Sequence, residues 1–569
     1  MIQKMTAYSW ILLSGDRDGF LQALQELGVV DITRSSKPVD GESERLAASI
    51  GQAKALIKTL ESGSDAHLEA LEASLATLLG QIEEVAPWGE WDAAAMDSLG
   101  VPFHFHCLRA KDFDPGWASR YALEVIYEGD GKVYFVIVGD NAGVGGEVPR
   151  PAGTAGALRA RAEELQAEAD AYAAGLEARR AEIPALEAQI AQTSSALSLY
   201  LAGVTGESAA EDSIVVYRGF APSESDSTLA AAFDAMDIYW TAGKAVVEDN
   251  PPINFRNNRF VRMFEPLTDM YGRPAYDGFD PTPFISIFFL LFFAMCMGDM
   301  GYGIVLIIVG LLLRRVRSFA SLAPLVCTLG VGTVVVGFFF HTFFSVDIAS
   351  WDWIPDGVKA VFVPSTVAGY DGTMVLALAV GVVHLLLAMI VKTVYATRNA
   401  GFLESLSTWG WTLFWVGLTV IGVLALSGVL SSPVVRVAII VLGIVCAIGI
   451  FPLNNIHRNP LVNVGSGLWD TYNMATGILG DVLSYLRLYA LGLAGAMLGF
   501  AFNDLAAMAL GDGGIGWVFF ILIVIIGHTL NLAMAALGAF VHPLRLNFLE
   551  FFKNSDYQGV GRKYNPLKK

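Results

Sequence analysis

Eight strongly hydrophobic segments follow one another in the second half of the chain. They lie at about residues 283–297, 300–313, 321–345, 372–396, 407–429, 433–453, 477–508 and 515–552. A helix needs about 20 apolar residues to cross a bilayer, so the first two segments are either two thin spans or a hairpin that does not cross fully. The last two would extend about 45 Å as helices of about 30 residues, so they must tilt strongly, break or protrude. The pattern predicts an α-helical polytopic membrane domain over 281–569, with about eight transmembrane helices of which the last two are long and tilted.

The first half of the chain carries the hydrophobic spacing of paired helices. In residues 43–87 the apolar positions step alternately by three and four, as in a coiled coil. Residues 155–204 carry two such series offset by four residues, which is a stutter, and Pro184 predicts a kink. We expect these two arms to pair as an antiparallel coiled coil.

Short strand patterns surround the two arms. Strand–helix–strand patterns lie within residues 1–42 and 205–255, and two further strands flank a Gly-Asp-Gly turn within 88–150. The sequence therefore predicts a domain over 1–280 in which the coiled coil joins two small α/β lobes. One lobe is membrane-proximal, formed by 1–42 with 205–255, and the distal lobe is formed by 88–150.

The charge of the chain is divided as sharply as its hydropathy. From residue 281 onward there are 15 Lys/Arg and 12 Asp/Glu, whereas residues 1–280 hold 22 and 43. An acidic soluble half argues against nucleic acid as a partner. The start of the chain has no signal-peptide pattern, so we expect the soluble half in the cytoplasm.

The loops between the hydrophobic segments predict the orientation of the membrane domain. With residues 1–280 and the tail after Lys553 in the cytoplasm, the cytoplasmic loops would hold Arg314, Arg315, Arg317, Lys392, Arg398 and Arg458. The opposite loops would hold Asp347, Asp352, Asp356, Asp371, Asp504 and Asp512, with Lys359 as a basic exception. This distribution follows the positive-inside rule. The sequence therefore predicts a multi-pass protein of the cell membrane with both termini in the cytoplasm.

Two arginines lie within the last two hydrophobic segments, where charge is costly. Arg487 lies well inside the seventh, and Arg545 lies towards the cytoplasmic third of the eighth. An arginine at the bilayer centre costs about 2.5–3.5 kcal/mol on insertion scales, and such residues usually face a bundle interior or water. Each arginine ends a helical stripe of polar or small residues. The stripes are Asn473, Gly477, Gly480, Ser484 and Arg487, with Asp481 beside them, and His528, Asn531, Ala535, Gly538, His542 and Arg545.

Two interpretations of Arg487 follow from the pattern. It could pair with a carboxylate such as Asp481 and simply hold two helices together. Alternatively, it could act as a fixed positive charge on a passing carboxylate, because arginine does not deprotonate in a protein. Arg545, near a helix end and followed by Glu550, allows the same two interpretations, whereas His341 and His384 are expected to be hydrogen-bonded packing residues.

The sequence lacks the motifs of an enzyme with its own active site. There is no P-loop, nucleophile elbow or HExxH motif, and the four cysteines have no metal-ligand spacing. We expect no cofactor, no metal and no catalytic residue. A secondary transporter would show repeated membrane halves, and the chain has no such repeat. A purely structural anchor would leave both arginines unexplained.

Four motifs carry a resemblance to a known family. They lie at 280–283 (DPTP), 298–303 (GDMGYG), 481–494 (DVLSYLRLYALGLA) and 538–546 (GAFVHPLRL). With these motifs the chain resembles the V-type ATPase subunit a family, called subunit I of the V/A-type ATPase in bacteria and archaea. The resemblance covers essentially the whole chain, and the absence of eukaryotic extensions indicates a prokaryotic form.

The resemblance implies the stator of a rotary ion pump. The soluble strut would bind the peripheral stalk subunits E and G and meet the C/d socket of the central stalk. The membrane domain would press its last two helices against the c-ring of proteolipid subunits and form two offset half-channels. Arg487 matches the essential arginine of the family and Arg545 the second one. Candidates for lining the half-channels are Asn473, Asp481, Ser484, His528, Asn531, His542 and Glu550.

The chain departs from the eukaryotic pattern at three positions. Gly495 stands in the place of a histidine, Ala535 in the place of a glutamate and Asn473 in the place of a carboxylate. The exit half-channel is therefore expected to be lined differently, with Asn473, Asn531 and His528 as candidates. Whether the ion is H⁺ or Na⁺ depends mainly on a carboxylate site in another chain, and either direction, ATP hydrolysis or synthesis, is compatible with the sequence.

Overall fold

The computed structural model describes residues 2–35, 37–140, 143–151, 153–209, 213–236, 238–316, 319–367, 369–452, 459–510 and 514–568. Arg317, Arg458 and Asp512, which contribute to the predicted orientation, lie outside these ranges. The chain forms two compact units. One contains Met1–Ile11, Val29–Asp31 and Tyr217–Pro566, and the other contains Leu12–Gly28, Ile32–Val216 and Leu567–Lys569.

The second unit is built around two pairs of long helices. Its helices are α1 (Arg17–Leu27), α2 (Gly41–Ser62), α3 (Ala66–Val85), α4 (Ala93–Ser98), α5 (Ala155–Arg179) and α6 (Ile183–Val204). α2 packs on α6 and α3 packs on α5, so the chain runs out along α2 and α3 and returns along α5 and α6. Leu60, Leu68 and Leu176 are buried in the seam between them.

The two arms are each interrupted by a turn, between α2 and α3 and between α5 and α6. Gly63 ends α2 with a left-handed backbone conformation (φ 69°), and Asp65 accepts hydrogen bonds from the first amides of α3. Between α5 and α6 the chain makes a 3₁₀ turn at Arg180–Glu182, next to Pro184. This turn lies where Pro184 predicts a kink, whereas the stutter lies further back, inside the continuous helix α5.

A four-stranded antiparallel sheet lies at the far end of α3 and α5. Its strands are β3 (Phe103–Arg109), β4 (Ala122–Gly129), β5 (Lys132–Val138) and β6 (Glu147–Val148), in the order β4-β5-β3-β6. The inward residues of the central strand, Val133, Phe135 and Ile137, alternate with more exposed ones and form the core of this part.

The first unit contains most of a second sheet. Its strands are β1 (Met5–Leu13), β2 (Asp31–Ile32), β7 (Glu207–Ala209), β8 (Ile214–Pro222) and β9 (Tyr239–Lys244), in the order β2-β8-β1-β9, with β7 on β8. β1 pairs antiparallel with β9, and helix α7 (Asp226–Asp234) follows β8. Two short helices, α8 (Arg259–Arg262) and α9 (Glu265–Tyr271), lead towards the hydrophobic half.

The hydrophobic half is almost entirely helical. Its helices are α10 (Thr282–Met297), α11 (Met300–Leu313), α12 (Ala323–Phe339), α13 (Asp356–Lys359), α14 (Gly372–Ala400), α15 (Leu406–Leu426), α16 (Ser432–Ile450), α17 (Pro460–Ser484), α18 (Leu486–Ala509), α19 (Gly514–Arg545) and α20 (Phe552–Ser555). Two small hairpins, β10 (Thr342–Phe343) with β11 (Val346–Asp347) and β12 (Thr366–Val367) with β13 (Tyr370–Asp371), lie between them.

Five membrane-spanning candidates occur among the described residues. They are Gly372–Ala400, Leu406–Leu426, Ser432–Ile450, Leu461–Ala509 and Gly516–Ser555. α10, α11 and α12 are apolar but have only 16, 14 and 17 residues. Because α10 and α11 are short, the question whether they are two thin spans or a hairpin stays open. The count of eight spans stays a prediction.

The two longest helical segments are interrupted, which is one of the three outcomes (tilt, break or protrusion) that their length allows. The seventh hydrophobic segment begins earlier than predicted, at α17, and the chain breaks at Tyr485 before α18. The eighth changes from α-helix to a π-helical turn at Leu546–Phe551, just after Pro543. Asn547 Nδ2, within this turn, donates to the carbonyl of Pro543 (2.9 Å).

The tail after α20 folds back onto residues of its own unit that precede the hydrophobic half. Lys563 forms a parallel bridge with Ile253, and Gly561 pairs with Arg273. The amide of Asn565 donates to Asp31 Oδ2 (3.1 Å), and the Tyr564 hydroxyl donates to the carbonyl of Val29. Residues 556–566 therefore form a strap on the surface of their unit.

Candidate functional site

The break at Tyr485 positions Arg487 in the first turn of α18. Tyr485 is fully buried, and its hydroxyl lies 2.8 Å from His384 Nδ1 on α14. One turn earlier on α14, Gly381 makes room for the ring, since a Cβ there would lie 2.7 and 2.8 Å from the two Cδ atoms of Tyr485. The expectation that His384 is a hydrogen-bonded packing residue is confirmed, and its partner, Tyr485, lies two positions before Arg487.

Arg487 has no ionic partner in the described part of the chain. Its Nη1 atom is buried without a hydrogen-bond acceptor, and no salt bridge joins it to another described residue. Asp481 contacts Lys553 Nζ (3.3 Å) and Asn554 Nδ2 (2.8 Å) instead. The interpretation that Arg487 pairs with Asp481 to hold two helices together is therefore wrong.

A group of polar side chains lies on the tail side of Arg487, and we call Asp481, Ser484 and Glu550 the tail-side cluster. Glu550 belongs to the π-helical turn, is only 4% exposed, and has one carboxylate oxygen, Oε2, buried without a partner among the described residues. The Ser484 hydroxyl lies beside this carboxylate, and the charge of Asp481 acts on it. π-Helical turns are rare and frequently occur at functional sites. Here the turn buries an acid beside the last turn of α17.

The second arginine lies in a different environment from the first. Arg545 is exposed at the end of α19, on the same face as the half-buried His542. The charges of Arg487 and Arg545 both act on His542, whose Nδ1 atom is buried without a described partner. His542 therefore lies within electrostatic range of both arginines, of which the α19 stripe predicted only Arg545.

A second polar group lies towards the other ends of α18 and α19, and we call Tyr302, Asn503, His528 and Asn531 the loop-side cluster. The Tyr302 hydroxyl lies 2.8 Å from both His528 Nδ1 and Asn531 Nδ2. His528 Nε2 lies 2.9 Å from Asn503 Oδ1, and Asn531 Nδ2 also donates to the carbonyl of Gly495 (2.8 Å). The structure thus brings His528 and Asn531 together, as their spacing on one helix face predicts.

Asn473 is not part of the loop-side cluster, although the sequence analysis grouped it with His528 and Asn531. It is exposed on α17, and its carbonyl accepts from Thr476 within the same helix. Gly495, which Asn531 contacts, lies 22 positions further along, or about 33 Å at helical rise. Asn473 therefore does not belong to the hydrogen-bonded group of His528 and Asn531, and its part in a half-channel lining stays a prediction.

Sequence reasoning missed Tyr302 and Asn503 as site residues. Tyr302 stood inside the GDMGYG motif, but its hydroxyl had no partner that local spacing could reveal. Asn503 was a lone amide in a hydrophobic segment, and its Nδ2 atom donates to the carbonyl of Phe344 (2.9 Å) in the β10–β11 hairpin. The one feature of the sequence that could have pointed to Asn503 was the position of this polar residue inside the seventh hydrophobic segment. The described residues contain no group of three or more His, Cys, Asp or Glu side chains that could hold a metal ion.

Comparison with known proteins agrees with the motifs. The model of the V-type ATPase 116kDa subunit family matches residues 190–319. The A-type ATP synthase subunit I of Pyrococcus abyssi is 32% identical over 334 residues, covering 56% of this chain and 48% of the relative. That of Methanocaldococcus jannaschii is 30% identical over 350 residues, covering 56% and 49%.

A bacterial relative aligns over nearly the whole chain. The V-type ATP synthase subunit I 1 of Treponema pallidum is 25% identical over 601 residues, covering 96% of this chain and 92% of the relative. The chain spans about half the length of the archaeal relatives it matches. The resemblance that the motifs carry, to prokaryotic subunit I of the V/A-type ATPases, is confirmed.

Proposed function

From its similarity to ATP synthase subunits I and from the placement of Arg487, we propose that this chain is the membrane stator subunit of a rotary V/A-type ATPase. It couples the passage of H⁺ or Na⁺ through the membrane to ATP hydrolysis or synthesis on other subunits, and it has no catalytic site of its own. The observation that carries the proposal is Arg487 on α18, whose Nη1 atom is buried without a hydrogen-bond partner in the described chain.

The role of Arg487 follows from its fixed charge. A carboxylate of a proteolipid c-ring passing within about 4 Å would be attracted by about 4 kcal/mol at an effective dielectric constant near 20. This attraction favours the ionised carboxylate, which must release its proton or cation before it passes. The same charge repels a cation that would otherwise leak directly from one side to the other.

The two polar clusters supply the two half-channels, each a path from one side of the membrane to the rotor. The tail-side cluster, with Asn473 further along α17, serves the cytoplasmic half-channel. The loop-side cluster serves the opposite one. Arg545 and His542, at the cytoplasmic third of α19, complete the surface that faces the c-ring.

The soluble half holds the catalytic head against the torque of the rotor. The paired helices of the second unit end in the β3–β6 sheet, which offers the peripheral stalk subunits E and G a surface remote from the membrane. The membrane-proximal part meets the C/d socket of the central stalk. Both termini lie in the cytoplasm of a prokaryotic cell, and the lipid bilayer covers the hydrophobic helices.

The test is ATP-driven ion uptake by vesicles that carry the assembled complex. Arg487→Lys and Arg487→Ala are compared with the wild type, and Arg436→Ala is the matched control because Arg436 is an exposed arginine at the start of the apolar helix α16. We expect both Arg487 variants to co-purify with the other subunits and to lose uptake, and the control to keep it. Assembled Arg487 variants that pump at the wild-type rate would falsify the proposal.

A further inference from the structure

Four exposed arginines lie at one end of the bundle formed by α10, α11 and α12, and we call Arg259, Arg262, Arg314 and Arg315 the arginine patch. The first two belong to α8, and the other two directly follow α11. None of the four forms a salt bridge with another described residue. Arg262 acts electrostatically on the nearby Glu265 without an ion pair between them. The patch therefore carries more positive charge than the described residues around it neutralise.

Helix α8 is packed against the ends of the hydrophobic helices. Phe264, just after α8, is fully buried, and its ring centre lies 6.4 Å from that of Phe289 on α10. Met263 Sδ lies 3.7 Å from Thr328 Oγ1 on α12. These two contacts lie about 10 Å from the start of α10 and about 8 Å from the start of α12, at helical rise. The arginines of α8 therefore lie beside the first turns of two apolar helices.

The end of α11 meets the same part of α12. A Cβ added to Gly310, one turn before Arg314, would lie 2.6 Å from Cys327 Sγ, so the two helices are in close contact here. Cys327 is the neighbour in sequence of Thr328, which Met263 contacts. The fold thus brings the two arginine pairs, which come from separate parts of the sequence, to one end of the bundle.

Exposed apolar side chains accompany the arginines. Leu312, Val316 and Phe319 are 55%, 48% and 50% exposed, and Ile308 and Leu311 continue this apolar surface along α11. Aromatic and aliphatic side chains beside basic ones are typical of a surface that lies at the membrane interface, where the apolar groups reach the acyl boundary and the charges stay among the headgroups. The surroundings of the patch therefore fit a lipid surface better than bulk water.

The chemistry of the patch selects the kind of lipid. The planar guanidinium of arginine can donate two parallel hydrogen bonds to a phosphate group. A zwitterionic headgroup carries its own positive charge, which the patch would repel, whereas an anionic headgroup does not. Residues 1–280 otherwise hold 43 acidic and 22 basic side chains, so the patch is a local exception on an acidic half that would be repelled by an anionic surface.

We propose that the arginine patch binds anionic phospholipids of the leaflet that covers this end of the bundle, with their phosphodiester oxygens accepting hydrogen bonds from the guanidinium groups. The occupant is a lipid rather than a soluble anion because the patch is continuous with the exposed apolar face of α11. Binding holds α8 at the headgroup level and, through Phe264 and Met263, fixes the first turns of α10 and α12. The inference requires the membrane location of the chain and does not depend on its part in ion transport.

The experiment uses the assembled complex in phosphatidylcholine vesicles that contain equal trace amounts of either phosphatidylglycerol or phosphatidylcholine with a photoactivatable headgroup. After illumination, mass spectrometry compares the label on residues 256–264 and 311–322 with the label on the exposed apolar helix α16 of the same chain. The variants are the double substitution Arg259→Gln with Arg262→Gln and the charge-conserving pair Arg259→Lys with Arg262→Lys. The matched control is Lys54→Gln with Lys58→Gln, which removes the same charge from exposed positions on α2.

We expect the phosphatidylglycerol probe to label the patch of the wild type several-fold more than the phosphatidylcholine probe does. This label should fall by about fivefold for each arginine replaced by glutamine, stay largely intact in the lysine pair and stay unchanged in the α2 control. It should also weaken as the salt concentration rises. Equal labelling by the two probes overturns the proposal on the wild type alone, so a variant that fails to assemble leaves the test decisive. An equal loss in the α2 control overturns it too, because the attraction would then belong to the net charge of the chain.

Discussion

The contact between Gly381 and Tyr485 is where packing positions the candidate site, and Gly381→Ala perturbs it with a single methyl group. The added Cβ would lie 2.7 and 2.8 Å from the Cδ atoms of a fully buried ring. Carbon atoms in contact prefer about 3.5–4.0 Å, so the ring must move by about 1 Å. Overpacking of this kind costs about 1–3 kcal/mol.

The same substitution at Gly443 on α16 is the matched control. No atom lies within 4 Å of the Cβ position there, and alanine is favoured over glycine in a helix by up to about 1 kcal/mol. Because both glycines lie inside helices, this gain applies to both variants, and they should differ by about 1–3 kcal/mol in the free energy of unfolding. The difference is measured by titrating the purified chain from mild detergent into dodecyl sulfate and following its helical circular dichroism.

The functional effect of Gly381→Ala should exceed its effect on stability. Tyr485 lies two residues before Arg487, so a shift of its ring displaces the guanidinium, and a misplacement of 1 Å can cost about 10²-fold in rate. We expect ATP-driven uptake per assembled complex to fall at least tenfold in Gly381→Ala and to remain normal in Gly443→Ala. Equal stability of the two variants would refute the claim that this contact holds Tyr485 in place.

Three further predictions concern other contacts. Tyr200→Phe removes the hydrogen bond that contributes most to lowering the pKa of Asp40. Because that carboxylate is stabilised in the folded state, the contribution is present above the unfolded pKa of about 3.9 and is lost as the pH falls through the folded value. Hydrogen exchange at the start of α2 should therefore be faster in the variant at neutral pH but not in strong acid. Lys553→Met should lower the unfolding free energy by less than about 1 kcal/mol in the detergent titration, because Lys553 is 61% exposed in its pair with Asp481. A larger loss would mean that the pair is shielded from water. Arg273→Ala should cost about 3–5 kcal/mol in the same titration, since Arg273 is 8% exposed and binds both carboxylate oxygens of its partner on α9; a neutral result would contradict its structural role.

The hydrophobic pattern predicted most helices of the second half because helix boundaries there follow the ends of apolar segments. α17 was largely missed because Asn463, Asp470 and Asn473 lower the hydropathy of its first turns. The break at Tyr485 could not be foreseen, since its backbone angles (φ −75°, ψ −19°) need no special residue, and the ring packs on Gly381 of α14, far away in the sequence.

The candidate site was predictable only where one helix carried all its members. The stripe on α19 placed His528 and Asn531 on one face, and the structure keeps them together. Tyr302 joins them from α11, more than 220 positions away, and no local spacing contains that information. The burial of Glu550 depends on the π-helical turn after Pro543, whose effect on the following residues is decided by tertiary packing.

The strap formed by residues 556–566 sets an order for the maturation of the protein. Its contacts with Val29 and Asp31 join residues 535 and 534 positions apart in the chain. A ribosome produces the strap after every hydrophobic helix, and domains fold as units while synthesis proceeds. The sheet that contains Asp31 therefore gains these contacts only after all the preceding hydrophobic helices have been synthesised. When the strap contacts form, every hydrophobic helix that precedes the strap has already been synthesised.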